Sequence, residues 1–146
     1  MPKIARINSG FTLLELIVVI VIIGVASSIA VVEMGKRRER TVFMGEVRRI
    51  ATTLKWARQN AVMERVDYSF YTETDLDGIP YYWLEREGIP VDDAVFLPAG
   101  YEVSESAIAF FPRGYSNGGE ILVTDEKGHE AVLTIDPVLG GVKVGR

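Results

Sequence analysis

An unbroken apolar run from Phe11 to Val32 constrains the fold of this chain more than any other feature. The run holds 22 residues, and Glu15 is the only charged residue among them. Because a helix rises about 1.5 Å per residue, a helix of this length just covers a hydrocarbon core of roughly 30 Å. The run therefore predicts a membrane-spanning helix. An unpaired charge in lipid is costly, so Glu15 is predicted to have a functional partner.

Charge is distributed unevenly along the 146 residues. Residues 1–65 carry 11 Lys and Arg against 5 Asp and Glu, a net charge of +6, whereas residues 66–146 carry 5 against 15, a net charge of −10. An acidic C-terminal part repels phosphate backbones, so we expect no nucleic-acid partner for it. Cysteine is absent, which excludes disulfides, a thiolate nucleophile and Cys-based metal sites.

Residues 33–65 continue the predicted helix with an amphipathic pattern. No proline interrupts residues 11–65, so the sequence predicts one continuous helix about 80 Å long. Apolar residues of its second half recur at spacings of three and four and share one face: Phe43, Val47, Ile50, Ala51, Leu54, Ala57 and Ala61.

From residue 66 the pattern changes to short strands separated by turns. The predicted strands are 66–72, 79–85, 91–97, 101–104, 108–111, 120–124, 131–135 and 142–144. The predicted fold class is therefore α+β. A long N-terminal hydrophobic helix would carry a C-terminal antiparallel β-sheet head, residues 66–146, packed on its second half like a lollipop.

Residues 1–10 hold two cations, Lys3 and Arg6, and no acid, which is typical of a short cytoplasmic leader. The alternative is an ordinary secretory signal peptide that is cleaved at Ser28-Ile29-Ala30. The glutamate near the start of the apolar run and the length of the run favour the first interpretation. Charge leaves the topology open, because the four cations of residues 36–40 outnumber the leading ones.

Where the leader meets the apolar run, the chain reads Gly10-Phe11-Thr12-Leu13-Leu14-Glu15-Leu16-Ile17-Val18-Val19-Ile20. This sequence resembles the class III signal of type IV pilins and type II secretion pseudopilins. The resemblance implies that a prepilin peptidase cuts after Gly10 and methylates the new amino terminus, Phe11. It further implies a single-pass inner-membrane protein with its head in the periplasm. Many major pilins have a proline near the position of Val31 and Val32, which this chain lacks.

Four short stretches of the C-terminal part extend the resemblance: Phe111-Pro112-Arg113-Gly114, Gly118-Gly119-Glu120-Ile121-Leu122-Val123, Leu133-Thr134-Ile135 and Gly140-Gly141-Val142-Lys143-Val144. They are similar to the Phe-Pro turn, Gly-led strand and final Gly-Arg-Val-like strand of the pseudopilin H and minor pilin T family (GspH/FimT). Gly141 stands where an Arg is common in that family.

Electrostatics gives Glu15 a role consistent with this resemblance. After cleavage at Gly10, the amino terminus of Phe11 in a neighbouring, staggered helix would supply the positive charge that the Glu15 carboxylate needs. Slipped registers would leave both charges unpaired in a medium of low dielectric constant, so the pair would set the assembly register. The alternatives are a Glu15 side chain that reaches the membrane surface, or one that is protonated.

Candidates for other chemistry are few. Asp75 and Asp77 resemble the start of a calcium loop, but the distal Glu of an EF-hand is missing, and Asp-Gly is also common turn chemistry. We therefore expect no cofactor, with calcium at Asp75 and Asp77 as the alternative. The only histidine, His129, is expected in solvent beside a turn. No Ser, His and Asp grouping can be argued from spacing, and nothing supports an enzyme.

Two further groups of residues leave alternatives open. The cluster Lys36-Arg37-Arg38-Glu39-Arg40 fits either attraction to anionic headgroups or acidic neighbouring heads, or a solvated helix turn. A group of aromatic residues lies on the first two predicted strands: Tyr68, Tyr71, Tyr81, Tyr82 and Trp83. Because side chains alternate along a strand, only one side of this group can face out as a contact surface, and the other side packs in the core.

The resemblance implies a minor pseudopilin of a type II secretion system that assembles into a pseudopilus. Its expected partners are other pseudopilins or pilins through the N-terminal helix, the prepilin peptidase, the inner membrane and secreted substrates. The first alternative is a minor pilin of a type IV pilus, used in pilus assembly or DNA uptake. The second is a membrane-anchored ligand-binding or enzymatic domain.

Overall fold

A computed structural model of the chain describes the backbone of residues 11–145, and the side chains of that range except those of residues 28–37. The predicted leader, residues 1–10 with the cleavage residue Gly10, lies outside the described residues. The chain divides into two compact units, with the boundary between Glu39 and Arg40.

A single helix, α1 (Leu13–Glu64), spans 52 residues and confirms the prediction of one continuous helix. It begins two residues later and ends one residue earlier than predicted. Its end has a local cause. Arg65 adopts a left-handed backbone conformation with φ 61°, which is the conformation that commonly terminates helices.

The predicted apolar face of the second half of α1 is confirmed residue by residue. All seven of its members have relative exposures of 4 % or less: Phe43, Val47, Ile50, Ala51, Leu54, Ala57 and Ala61. They belong to one cluster with the buried residues of the strands. Small side chains at Ala57 and Ala61 let the last turns of α1 approach the strands closely.

Among residues 11–145, nine antiparallel strands form two sheets and complete the predicted α+β architecture. The first sheet contains β1 (Tyr68–Thr74), β2 (Pro80–Arg86), β3 (Ile89–Pro90), β4 (Val95–Phe96) and β6 (Ser106–Phe110), in the order β3-β2-β1-β6 with β4 also paired to β2. The second contains β5 (Tyr101–Val103), β7 (Gly119–Asp125), β8 (Glu130–Ile135) and β9 (Val142–Gly145), in the order β5-β7-β8-β9.

Alternating side chains of both sheets face the buried stripe of α1. Phe70 and Phe110 are fully buried on the first sheet, and Ile121 and Leu133 are fully buried on the second. The one buried polar side chain of the first sheet, Thr72, donates a hydrogen bond from Oγ1 to the Ser104 carbonyl at 2.7 Å. Burial of a hydroxyl is tolerated there because the group is hydrogen-bonded.

The predicted strand 91–97 is wrong in its bounds. Ile89 and Pro90 pair with β2 instead, after a two-residue turn in which Glu87 and Gly88 have φ values of 50° and 80°. Two central residues with positive φ are typical of the tight hairpin turns that match strand twist. The chain then leaves the sheet and returns only at Val95–Phe96. Proline at position 90 removes a backbone donor, which keeps β3 short and at the sheet edge.

Candidate functional site: an apolar helical segment with one carboxylate

The first turns of α1 expose apolar side chains in every direction. All residues from 11 to 27 are exposed, and their large hydrophobic side chains have relative exposures from 42 % at Val19 to 77 % at Leu13. A helix that is apolar all round is normally buried in a membrane or in the core of an assembly. The exposed surface of this segment therefore requires an apolar partner.

Within the described residues, no helical stretch combines the length and the hydropathy of a membrane span. The side chains of residues 28–32, the last part of the predicted span, lie outside the description.

The start of α1 is fixed by a side-chain cap. Thr12 Oγ1 accepts a hydrogen bond from the Glu15 backbone N–H at 3.2 Å, and the Thr12 carbonyl accepts one from the Leu16 N–H at 3.2 Å. Thr12 is therefore the N-cap and Glu15 is the third helical residue, which is the spacing of a capping box. Thr-x-x-Glu is the sequence signature of this cap, although Thr12 was not among the predicted site residues.

The capped geometry places the Glu15 carboxylate in the first turn of the helix. The positive end of the helix dipole favours a negative charge there. No Lys, Arg or His side chain of the described residues forms an ion pair with it. An ionised carboxylate has about four lone-pair acceptor positions, so Glu15 keeps the capacity to accept hydrogen bonds from a second molecule. Phe11, four residues earlier, is 74 % exposed.

The C-terminal motifs meet at a junction on α1. Arg58 Nε donates a hydrogen bond to the Gly114 carbonyl at 3.2 Å, at the end of the Phe111–Gly114 turn. Gly140 lies against the same atoms, because a Cβ added to it would be 2.5 Å from Gly114 O and 2.8 Å from Arg58 Nε. With a φ of 59°, Gly140 also needs the left-handed conformation that glycine adopts readily. The structure thus brings together two of the four stretches that carry the second resemblance.

Asp75 uses its carboxylate to hold a turn. Its Oδ1 accepts hydrogen bonds from the backbone N–H groups of Asp77 at 3.0 Å and Ile79 at 2.8 Å. Such a bond from an Asp side chain to the backbone two residues on is ordinary turn chemistry. The described part of the chain holds no group of three His, Cys, Asp or Glu residues that could bind a metal ion.

The expectation of a solvated His129 is wrong. Its side chain is 25 % exposed, its ring stacks on Phe43 with centroids 5.5 Å apart, and its Nδ1 lies 2.8 Å from Asp125 Oδ2. Phe43 also stacks on Tyr101, at 5.9 Å. The position beside a turn was correctly predicted, but no local pattern reveals that α1 presents an aromatic ring to that turn.

The aromatic residues divide between the two faces of the first sheet as alternation predicts. Tyr68 and Tyr82 are buried, whereas Tyr71, Trp83 and Tyr81 form a stacked row on the outer face. The ring centroids in this row are 5.0 and 5.5 Å apart. Because the rings stack on one another, they present mainly edges to solvent. A cleft of ≈ 360 Å³ lies between Trp56 of α1 and β2, and Trp83 of the stacked row is among its lining residues.

Comparison with known proteins identifies the N-terminal segment. Residues 5–31 match the family model described as the prokaryotic N-terminal methylation motif. Curated proteins and solved structures give no match to the chain. The matched residues include Gly10, Phe11 and Glu15. The chain therefore carries a prepilin-like signal, which indicates a pilin-like protein of the type II secretion or type IV pilus kind.

Proposed function

We propose that this chain is a minor pseudopilin of a type II secretion system. In this proposal the prepilin peptidase cuts after Gly10 and methylates the amino group of Phe11. The subunit then waits in the inner membrane with its head in the periplasm and joins a pseudopilus that helps to export folded proteins. One observation carries the proposal: the residues that match the methylation motif include a helical segment that is apolar on every side and bears a single carboxylate.

The exposed apolar surface supports a role in assembly. The exposed apolar side chains of residues 11–27 cover the segment on all sides. Their contiguous apolar area is larger than a soluble monomer normally exposes. Lipid covers this apolar surface before assembly, and the same segments of neighbouring subunits cover it afterwards. Either environment excludes water, so a charge in the segment needs a partner of opposite sign.

We assign to Glu15 the role of setting the axial register between neighbouring subunits. Cleavage after Gly10 creates a cationic amino group at Phe11, and the capped helix start holds the Glu15 carboxylate one turn further along. In a staggered bundle, the amino group of one subunit reaches the carboxylate of the next only at certain axial offsets. A slipped offset leaves two charges unpaired, which costs several kcal/mol per ion in an apolar medium.

The assignment to the minor pseudopilins is supported by the junction on α1. The turns at Gly114 and Gly140 belong to two of the four stretches that resemble the GspH/FimT family, and each of these turns lies against Arg58. The net charge of −10 on residues 66–146 favours a secretion role over a DNA-uptake pilin, because it disfavours binding of phosphate backbones. Tight retention of DNA by the full chain at physiological salt would instead favour the type IV pilus alternative.

Mass spectrometry of the amino terminus of the mature protein tests processing. We expect a chain that begins with N-methylated Phe11. A chain that begins near Val31 would establish cleavage as an ordinary signal peptide and would contradict the proposal.

Substitution at Glu15 tests the register mechanism. Glu15→Gln keeps the size of the side chain and the capping-box residue type, but removes the charge. We expect it to be processed normally and to be lost from filaments. Thr12→Ala is the matched control, because it removes the observed cap and retains the charge, so it should still be incorporated. Normal incorporation of Glu15→Gln would show that the charge of Glu15 does not set the register.

A further inference from the structure

A groove runs between α1 and the edge strand β9, within the unit that begins at Arg40. One part, of ≈ 540 Å³, is bordered by Met44, Arg48 and Val144, and the other, also of ≈ 540 Å³, by Arg58 and Met63. Lys55 and Val142 line both parts, so the two are continuous. We call this feature the β9 groove.

The strand that borders the groove has one unpaired edge. β9 is the last strand of its sheet and pairs only with β8 among the described strands, over Val142–Gly145. A strand at a sheet edge presents backbone N–H and C=O groups that can pair with another chain.

One edge strand of the first sheet, β6, is protected, in contrast to β9. The side chain of Asn117 occupies the outer edge of β6: its Oδ1 accepts a hydrogen bond from the Ala109 N–H, and its Nδ2 donates one to the Ala107 carbonyl, both at 2.9 Å. Asn117 N–H also donates to the Ala109 carbonyl at 3.1 Å. An asparagine that copies backbone pairing prevents the addition of a further strand. No described side chain does this for β9.

The walls of the groove carry positive charge above an apolar floor. Arg48 and Lys55 line the groove from α1 and form no ion pair with a described carboxylate. Val142 and Val144, two residues apart, lie on the groove side of β9.

We infer that the β9 groove binds an extended acidic segment of a partner protein, which adds to β9 as a further strand. Main-chain hydrogen bonds to an exposed edge give affinity in this mode of recognition, and alternate side chains give specificity. Acidic side chains of the added strand would meet Arg48 and Lys55, while apolar ones would cover Val142 and Val144. Nucleic acid fits less well, because no aromatic ring lines the groove to stack on a base. The inference stands independently of membrane insertion and filament assembly.

Peptide binding to the full chain in zwitterionic micelles tests the charge requirement. The probe is a fluorescein-labelled octapeptide of alternating Glu and Val, and its counterpart has Lys in place of Glu. We expect fluorescence anisotropy to show binding of the acidic peptide only. Arg48→Gln combined with Lys55→Gln should weaken binding about tenfold, since each exposed charge pair contributes up to about 1 kcal/mol. Arg49→Gln, one residue along the same helix but outside the groove, is the matched control.

Hydrogen exchange tests strand addition itself. We expect the acidic peptide to slow amide exchange in Val142–Gly145, and a peptide with N-methylated backbone amides to bind more weakly. Failure of the acidic peptide to bind at millimolar concentration would overturn the inference, as would binding that is insensitive to Arg48 and Lys55. Stronger binding of a single-stranded oligonucleotide would identify phosphate as the ligand instead. Protection of β9 that rises with protein concentration in the absence of peptide would identify a second copy as the occupant.

Discussion

At the scale of single residues, Asp125 shows how one carboxylate organises a hairpin. Its Oδ1 accepts hydrogen bonds from the N–H groups of Lys127 at 3.0 Å and His129 at 2.9 Å, while Oδ2 meets the His129 ring. Burial alone would raise the pKa of Asp125, but the hydrogen bonds from the side chain and backbone of His129 outweigh it, so the pKa is lowered. The same hairpin places His129 against Phe43 of α1.

The lowered pKa of Asp125 predicts how the free energy of unfolding depends on pH. Because the pKa of Asp125 is lower in the folded chain than its ordinary value of 3.8, the stabilisation is fully present above that value. It is lost as the pH falls through the folded value. We expect Asp125→Asn to lower the free energy of unfolding at pH 7 by about 1 kcal/mol, and this difference to disappear only as the pH falls below 3.8, through the lowered pKa of the folded chain. Urea unfolding followed by tryptophan fluorescence across pH provides the measurement.

Asp92→Asn is the control for this series, because Asp92 is exposed and makes no such network. It should leave stability nearly unchanged at every pH. A loss of stability in Asp125→Asn that is equal at pH 7 and at acid pH would contradict the electrostatic origin of the effect.

A second prediction for a single residue concerns the backbone strain at Arg65. It is a non-glycine residue with φ 61°, a conformation that costs about 1–2 kcal/mol for a residue with a Cβ. Arg65→Gly relieves this strain but increases the entropy of the unfolded chain, so we expect a net gain of about 0.5–1 kcal/mol. Gln59→Gly, inside α1, should instead lose about 1 kcal/mol. Equal losses in both variants, measured by urea unfolding, would contradict the assignment of Arg65 as the helix-terminating residue.

At the scale of elements, the two turns that meet at Arg58 fix the position of the last strand. A Cβ at position 140 would overlap the Gly114 carbonyl, which is backbone and cannot rotate away. At position 141 a Cβ meets nothing within 4 Å. These neighbouring glycines therefore offer a direct comparison of a packed position and an open one.

We expect Gly140→Ala to lower the free energy of unfolding by at least about 2 kcal/mol, because it adds a backbone clash to an unfavourable φ. Gly141→Ala should change it by less than about 0.5 kcal/mol. Denaturant unfolding of the two variants provides the measurement. Similar destabilisation by both substitutions would show that the junction is not the cause.

Local pattern predicts elements well where periodicity is strong and poorly where distant contacts decide. The apolar face of α1 follows from spacing alone, and all seven predicted residues are buried. The segment 91–97 looks strand-like, but Pro90 and the tight turn at Glu87-Gly88 redirect the chain. The contact of His129 with Phe43 joins residues that are far apart in the sequence, so spacing could not reveal it.

At the scale of the whole molecule, two exposed surfaces of the described chain are suited to bind a second molecule. One is the apolar segment of residues 11–27, which was predicted from the amino-acid composition of that run. The other is the β9 groove, which was not predicted from the sequence. The first is visible in the sequence because an uninterrupted apolar run of this length has to be buried away from water. The groove depends on which strand ends a sheet and which helical residues face it, and both are set by long-range packing.

The proposed assembly rests on the pairing of the Glu15 carboxylate of one subunit with the methylated amino group of Phe11 in the next. The most direct measurement is the distance between those two atoms in a high-resolution structure of the purified filament that contains this subunit. We expect the nitrogen and the nearest carboxylate oxygen to lie within about 4 Å, the range of an ion pair. A clearly larger separation, with Glu15 facing water or an apolar side chain, would contradict the register mechanism.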